Sequence, residues 1–216
     1  MKVLADGENL TIEQVIAVAR EGAEAQIPKK AMEKVERCRE FLEKAVKEER
    51  VVYGVTTGFG ALGTLDIPSE SVKKLQSNLI RSHSAGVGKP LDKDATRALM
   101  LLRANTLVKG FSGIKLQTLE TLVQMINKGV HPVIPEKGSV GASGDLAPLA
   151  HMALVVMGEG EAEYNGKRLS GKEAMEEAGI TPVELDAKEG LALINGTQLM
   201  TAIGALAVYD AERLVK

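Results

Sequence analysis

The run GSVGASGDLAPL at 138–149 holds the residue types with the least ordinary chemical potential in the chain. In Ala142-Ser143-Gly144 the last residue has no side chain, so its backbone nitrogen can approach a carbonyl closely. A tight turn pressing the Gly144 nitrogen onto the Ala142 carbonyl carbon closes a five-membered ring. Loss of the Ala142 carbonyl oxygen and of the Ser143 hydroxyl, each as water, then leaves an exocyclic methylene, an electrophile stronger than any ordinary side chain offers. Gly141 adds backbone freedom. Asp145 is placed to assist the proton transfers, and it opens a helix whose positive end faces the ring. A plainer reading stands beside this one: a glycine-rich turn, with or without a phosphate on its amides. The loop lacks the Lys-Ser/Thr ending of a phosphate loop and the glycine spacing of a dinucleotide site. On the tripeptide alone, however, the plain turn is the stronger reading.

The elements that must hold this loop are mainly helical. Aromatic residues are only 3%, so Ala, Leu, Val, Ile and Met have to fill the core, and such side chains suit close helix packing better than sheets. A first helix starts at Thr11, with Gln14 completing a capping box and Ile12, Val15, Ile16 and Val18 as its apolar face. Pro28 suits the first turn of a second helix, whose stripe is Met32, Val35, Cys38, Leu42 and Val46. VVYGV at 51–55 reads as a short strand or extended segment, and TTGFGALGT as a loop. Helices follow at about 69–83, 92–109 and 113–128, the middle one capped by Asp92 and apolar nearly all round its second half. HPVIP is extended because of its prolines. A buried helix begins at Asp145, a hairpin turns at Asn165-Gly166 within 161–169, and Ser170 with Glu173 caps a short helix. ALINGTQLMTAIGALAVYDAERLVK starts another helix, with Ile203, Leu206, Val208 and Leu214 carrying an apolar face to the terminus. The fold class is therefore mainly α with small β elements.

The net charge of −2 gives no reason to expect nucleic acid or an anionic membrane as partner. Asp6 and Glu8 interrupt the start before any long apolar run, against a cleaved secretory signal, and no window is expected to reach membrane-spanning length. The single Cys38 cannot form an internal disulfide and fits a reducing cytoplasm. The scattered His83, His131 and His151 lack ligand spacing and an acidic or thiolate cluster, so no metal is expected. His131, before Pro132, reads as structural.

Four segments, in order, turn the loop from a chemical possibility into a resemblance: YGVTTGFG at 53–60, RSHSAGVG at 81–88, GSVGASGDLAPLAHMAL from 138, and NGTQ at 195–198. Together they resemble the aromatic amino-acid ammonia-lyases and aminomutases, over essentially the whole chain, and most closely the histidine-type lyases. The resemblance implies that Ala142, Ser143 and Gly144 cyclise into the methylidene-imidazolone (MIO) cofactor of that family, which captures the substrate amine and makes it a leaving group. Tyr53 matches the tyrosine that removes the β-proton. An ordinary tyrosine titrates near pH 10, so its pocket must favour the phenolate. Asn195 matches the residue that contacts the cofactor ring or the substrate, and Gln198 lies one turn along on the same face. Both also read as caps of the last helix. His83 matches the position that recognises a substrate imidazole, with a helix-terminal histidine bonding a carbonyl as the alternative. Gly60, closing the first segment, is grouped with the substrate-binding residues.

Family members are far longer chains, and what this one lacks includes an arginine for the substrate carboxylate, a second essential tyrosine and a glutamate. The resemblance therefore implies one amino-terminal, cofactor-bearing domain over 1–216, ending within a helix of a central bundle. It implies a separate carboxy-terminal lyase polypeptide docked on the last helix, and a hetero-oligomer built on a tetrameric core. The implied reaction is loss of ammonia from an L-aromatic amino acid, with histidine to urocanate the first choice. An aminomutase, or a non-catalytic assembly subunit with an uncyclised loop, remains the alternative.

Overall fold

A computed structural model describes residues 1–58, 71–141 and 144–215 of the chain. The amino-terminal strand β1 (Lys2–Leu4) pairs in parallel with β2 (Glu24–Gln26), and α1 (Ile12–Arg20) makes the crossover between them. The capping box at Thr11 and Gln14 forms as expected. Val15, Ile16 and Val18 are buried, but Ile12 stands at the first turn and is exposed. In α2 (Lys29–Lys47) Pro28 is the cap residue, one place before the expected first turn. The buried seam also differs from the expected stripe. Val35 and Leu42 are buried, while Met32, Cys38 and Val46 are only half-buried. Arg39 takes a place in the seam because its guanidinium donates to the Gly113 and Ala187 carbonyls at 3.0 and 2.9 Å and to Glu43 at 2.8 Å.

The segment 51–55 is a turn and not a strand. Val55 and Thr56 amides both donate to the Val52 carbonyl, the Thr56 hydroxyl accepts from the Val52 amide, and Gly54 takes a left-handed φ of 66°. The β-branched residues favour a strand locally, but the threonine hydroxyls and Gly54 offer the backbone a closed alternative.

Helix α3 (Val72–His83) leads into β3 (Val87–Pro90) and then α4 (Lys93–Leu107), capped by Asp92 through the Ala95 amide at 2.7 Å. Such a cap contributes about 1 kcal/mol. Helix α4 is the centre of the molecule, packing on α1, on α5 (Leu116–Lys128) and on the last helix. Ala98, Leu99, Met100, Leu101, Ala104 and Leu107 have no exposed surface. HPVIP is extended as expected, giving β4 (His131–Pro132) and β5 (Pro135–Lys137), and β5 pairs antiparallel with β3. After α6 (Leu146–Val156) the hairpin β6 (Glu161–Tyr164) and β7 (Lys167–Ser170) turns at Asn165-Gly166, with φ of 49° and 74°, and β6 continues the sheet to β4. The Ser170–Glu173 capping box opens α7 (Gly171–Glu177).

The carboxy-terminal apolar run forms two helices, α8 (Glu189–Ile194) and α9 (Gln198–Val215), broken at Asn195, whose backbone is extended. One stretch, 189–215, is long and apolar enough to cross a membrane by length and composition, which corrects the expectation that none approaches it. After Glu189 no charge occurs until Asp210, and the intervening Leu, Ile, Val and Ala residues raise its hydropathy. One side of α9 packs on α4 and α1, burying Leu199, Ala202 and Leu206. Of the four residues expected on its outward stripe, Leu206 turns inward, while Ile203, Val208 and Leu214 are exposed with Met200 and Val215.

Candidate functional site

The glycine-rich loop is closed at its neck. The Val140 amide donates to the Gly144 carbonyl at 2.8 Å, and Gly141 and Gly144 hold φ of 92° and 83°, a region that side chains avoid. Outside the neck, the Ser139 hydroxyl donates to Asp145 Oδ1 at 2.7 Å. Asp145 has no exposed surface, and its Oδ2 accepts the Met200 amide of the first turn of α9 at 2.9 Å. Asp145 thus begins α6 with its backbone but caps α9 with its side chain. The amino-terminal ends of two helices converge beside the loop, where their partial positive charge favours an anion or a developing negative charge. Ala142 and Ser143 lie outside the described residues. What flanks them fits an Ala-Ser-Gly ring: a glycine at the closing nitrogen, a short neck, and donors at two helix ends.

Two further motifs are tied to this centre. RSHSAGVG reaches it through Gly86, whose amide donates to His151 Nε2 at 3.1 Å on α6. That bond requires a lone pair on Nε2, and burial keeps the His151 ring below the ordinary imidazole range, so the ring is neutral. A side chain at Gly86 would be tight, since a Cβ would lie 3.1 Å from that nitrogen and 3.2 Å from Pro135. His83 ends α3 half-buried, with Nδ1 at 2.9 Å from the Leu79 carbonyl and 3.1 Å from Ser82 Oγ. A carbonyl only accepts, so Nδ1 carries a hydrogen in this bond.

NGTQ forms the break between α8 and α9. Arg103 of α4, 2% exposed, reaches under it: Nη1 donates to the Asn195 carbonyl at 2.9 Å and to Gln198 Oε1 at 2.8 Å, and Nη2 to the Ala192 carbonyl. Burial pushes the Arg103 guanidinium down to about 10. Gln198 is buried and also donates to Thr106 Oγ1 at 3.2 Å, whereas the Asn195 side chain is exposed. Three motifs therefore surround the start of α6 and α9.

Of the fourth motif, residues 53–58 are described. Tyr53 is 57% exposed on its turn, and Val55 packs in a small satellite cluster with Leu42, Val72 and Ala187. Gly60 lies outside the described residues.

Sequence reasoning missed Arg103 and Glu189. The signal for Arg103 was a lone charge inside LMLLRANTL. Glu189, fully buried, accepts from the Lys115 and Asp186 amides and the Thr118 hydroxyl, and so joins α8 to α5. His131, read as structural, accepts from Arg97 Nη1 at 3.2 Å through Nε2. Burial and the cations Arg97 and Lys93 lower its ring to about 4.

A helical chain with a closed Gly-Ala-Ser-Gly-Asp loop set between helix ends has close counterparts among known proteins. Residues 10–216 match the family model described as aromatic amino acid lyase, and the chain belongs to that family. It is 60% identical over 215 residues to a histidine ammonia-lyase of Alkaliphilus metalliredigens, covering all of this chain and 42% of that protein. The crystal structure of histidine ammonia-lyase from Trypanosoma cruzi superposes with a TM-score of 0.91 at 42% identity, over 99% of this chain and 41% of that one. A tyrosine aminomutase from Streptomyces globisporus superposes with a TM-score of 0.90 at 43% identity, over 96% and 39%. The chain thus spans well under half the length of these relatives.

Proposed function

We propose that this chain is the cofactor-bearing, amino-terminal part of an ammonia-lyase whose substrate is L-histidine and whose product is urocanate. The observation that carries the reading is the loop closed by Val140 and Gly144 and anchored by Asp145 to α9, in a chain 60% identical to a histidine ammonia-lyase. Ala142, Ser143 and Gly144 would form the methylidene-imidazolone, which supplies an electrophile for the substrate amine. Gly144 gives the ring its closing nitrogen, and Asp145 with Ser139 holds the loop against the ends of α6 and α9. Tyr53 takes the β-proton, a task for which the phenolate must be favoured over the phenol. His83 offers Nε2 as acceptor to the N–H of a substrate imidazole, its orientation set by the Leu79 carbonyl. Asn195 contacts the ring or the substrate, and Arg103 holds the backbone from which it projects. Gln198 is bonded to Arg103 and Thr106, which makes it a support of that turn before a substrate contact.

The groups that bind the substrate carboxylate and the second half of the bundle belong to the carboxy-terminal part of the enzyme, in a tetramer-based oligomer in the cytoplasm. The relatives' extra length and the outward apolar stripe of α9 support this reading. Soluble proteins rarely leave such a contiguous stripe uncovered. The similarity to a tyrosine aminomutase supports one second reading, return of ammonia to the β-carbon.

The test is reconstitution with the carboxy-terminal polypeptide, followed by intact mass and product analysis. The expected result is a chain lighter by two waters and release of urocanate from histidine, both abolished by Ser143→Ala. A β-amino acid product would replace the lyase reading with the aminomutase one. Full mass in an assembled but inactive complex would make the chain a non-catalytic subunit.

A further inference from the structure

Behind the NGTQ turn lies a cavity of about 190 Å³ whose lining includes Arg103, Lys188, Ser112 and Asn195, with the exposed Phe111 at its edge. Two of these are cations and none is acidic. Arg103 satisfies three acceptors with its terminal nitrogens, yet its Nε is buried without a partner among the described residues. Lys188 is half-buried and precedes α8 in a left-handed conformation, φ 74°, that a lysine adopts at a cost. Burial lowers the titration of both cations, and among the described residues no neighbouring acid offsets that effect. The acids beside Lys188 in sequence are engaged elsewhere. Glu189 accepts from Lys115, Thr118 and Asp186, while Asp186 pairs with Lys115. Other cations withdrawn from solvent are paired with an acid, as Arg39 is with Glu43 and Lys115 with Asp186, or, like Arg97, give their hydrogens to backbone carbonyls. An uncompensated cation out of water is costly, and two facing one cavity focus a positive potential there.

We propose that this cavity is a binding site for a small oxyanion, a carboxylate or phosphate group, held by Lys188 and Arg103 with Ser112 as a neutral donor. Bound there, the anion joins the start of α8 to α4 and clamps the turn that carries Asn195. Lys188 and Ser112 take no part in the steps assigned to the lyase reaction, so variants at these two positions test the site apart from that reading.

The test is titration of the 216-residue chain, at constant ionic strength set with a large weakly hydrated anion, with inorganic phosphate in one arm and acetate in the other. Binding is read by calorimetry and by the melting temperature. Lys188→Asn removes the charge while suiting the left-handed backbone, so it folds without strain. Lys188→Arg keeps the charge. Saturable one-to-one binding of either anion is expected, with a raised melting temperature. Lys188→Asn should weaken it by about tenfold or more, and Lys188→Arg should largely retain it. Ser112→Ala serves as a second variant, expected to weaken binding less. Phosphate preference would identify a phosphate site and acetate preference a carboxylate site. Absence of saturable binding in both arms, or equal binding by Lys188→Asn, overturns the proposal.

Discussion

Asp145 shows how much one buried side chain decides. Its carboxylate has a hydroxyl donor on one oxygen and a helix-end amide on the other. Asparagine has nearly the same shape, and with its oxygen on the Met200 amide its NH2 must donate to a Ser139 hydroxyl turned round to accept. Asp145→Asn should lower stability by about 1 kcal/mol, read by urea denaturation, because amide hydrogen bonds are weaker than those to a carboxylate. His131 makes a pH-dependent contribution of definite sign. Its ring is lowered from 6.5 to about 4 in the folded chain. The neutral ring is the one that accepts from Arg97, so the stabilisation is full above pH 6.5 and is lost as pH falls towards 4. Between pH 7.5 and 4.5 the wild type should lose about 2 kcal/mol more than His131→Gln, allowing for partial solvent screening. Equal losses in the two proteins would remove His131 from that account.

At the scale of elements, the break between α8 and α9 is built on Gly196. A Cβ there would collide with Gln198 Oε1 and Arg103 Nη1, both held in place by hydrogen bonds. Gly196→Ala should cost about 2–3 kcal/mol in stability by the same denaturation measurement. Gly204, within α9, meets nothing within 4 Å where its Cβ would stand. Gly204→Ala should stabilise the isolated chain by about 1 kcal/mol, since alanine suits a helix interior better. The pair separates two uses of glycine: space at 196, and an exposed helix face at 204.

For the molecule as a whole, the outward stripe of α9 is the feature that the fold leaves unpartnered. Val208→Asp, at a position 46% exposed, should change the isolated chain's stability by less than about 0.5 kcal/mol. The same substitution should abolish coelution with the carboxy-terminal polypeptide in size-exclusion chromatography. An unchanged complex would show that the second half docks on another face.

Local chemistry was legible in the residues themselves. The capping boxes at Thr11 and Ser170, the Asp92 cap, the Asn165-Gly166 turn and the extended HPVIP segment each depend on neighbours within a few positions, and each formed as read. The glycine-rich loop and the central burial of α4 were equally open to reading. What only the tertiary structure decided were pairings between distant positions: Asp145 with Met200, 55 residues apart, Gly86 with His151, 65 apart, and Arg103 with Asn195, 92 apart. The same is true of Arg39 entering an apolar seam, where carbonyls of remote segments satisfy its guanidinium. A charged side chain can be buried only where distant acceptors happen to converge, and periodicity along one helix carries no information about them. The turn at 51–55 failed as a strand for a nearer reason: side-chain hydroxyls outcompeted β propensity that none of the described strands reinforces.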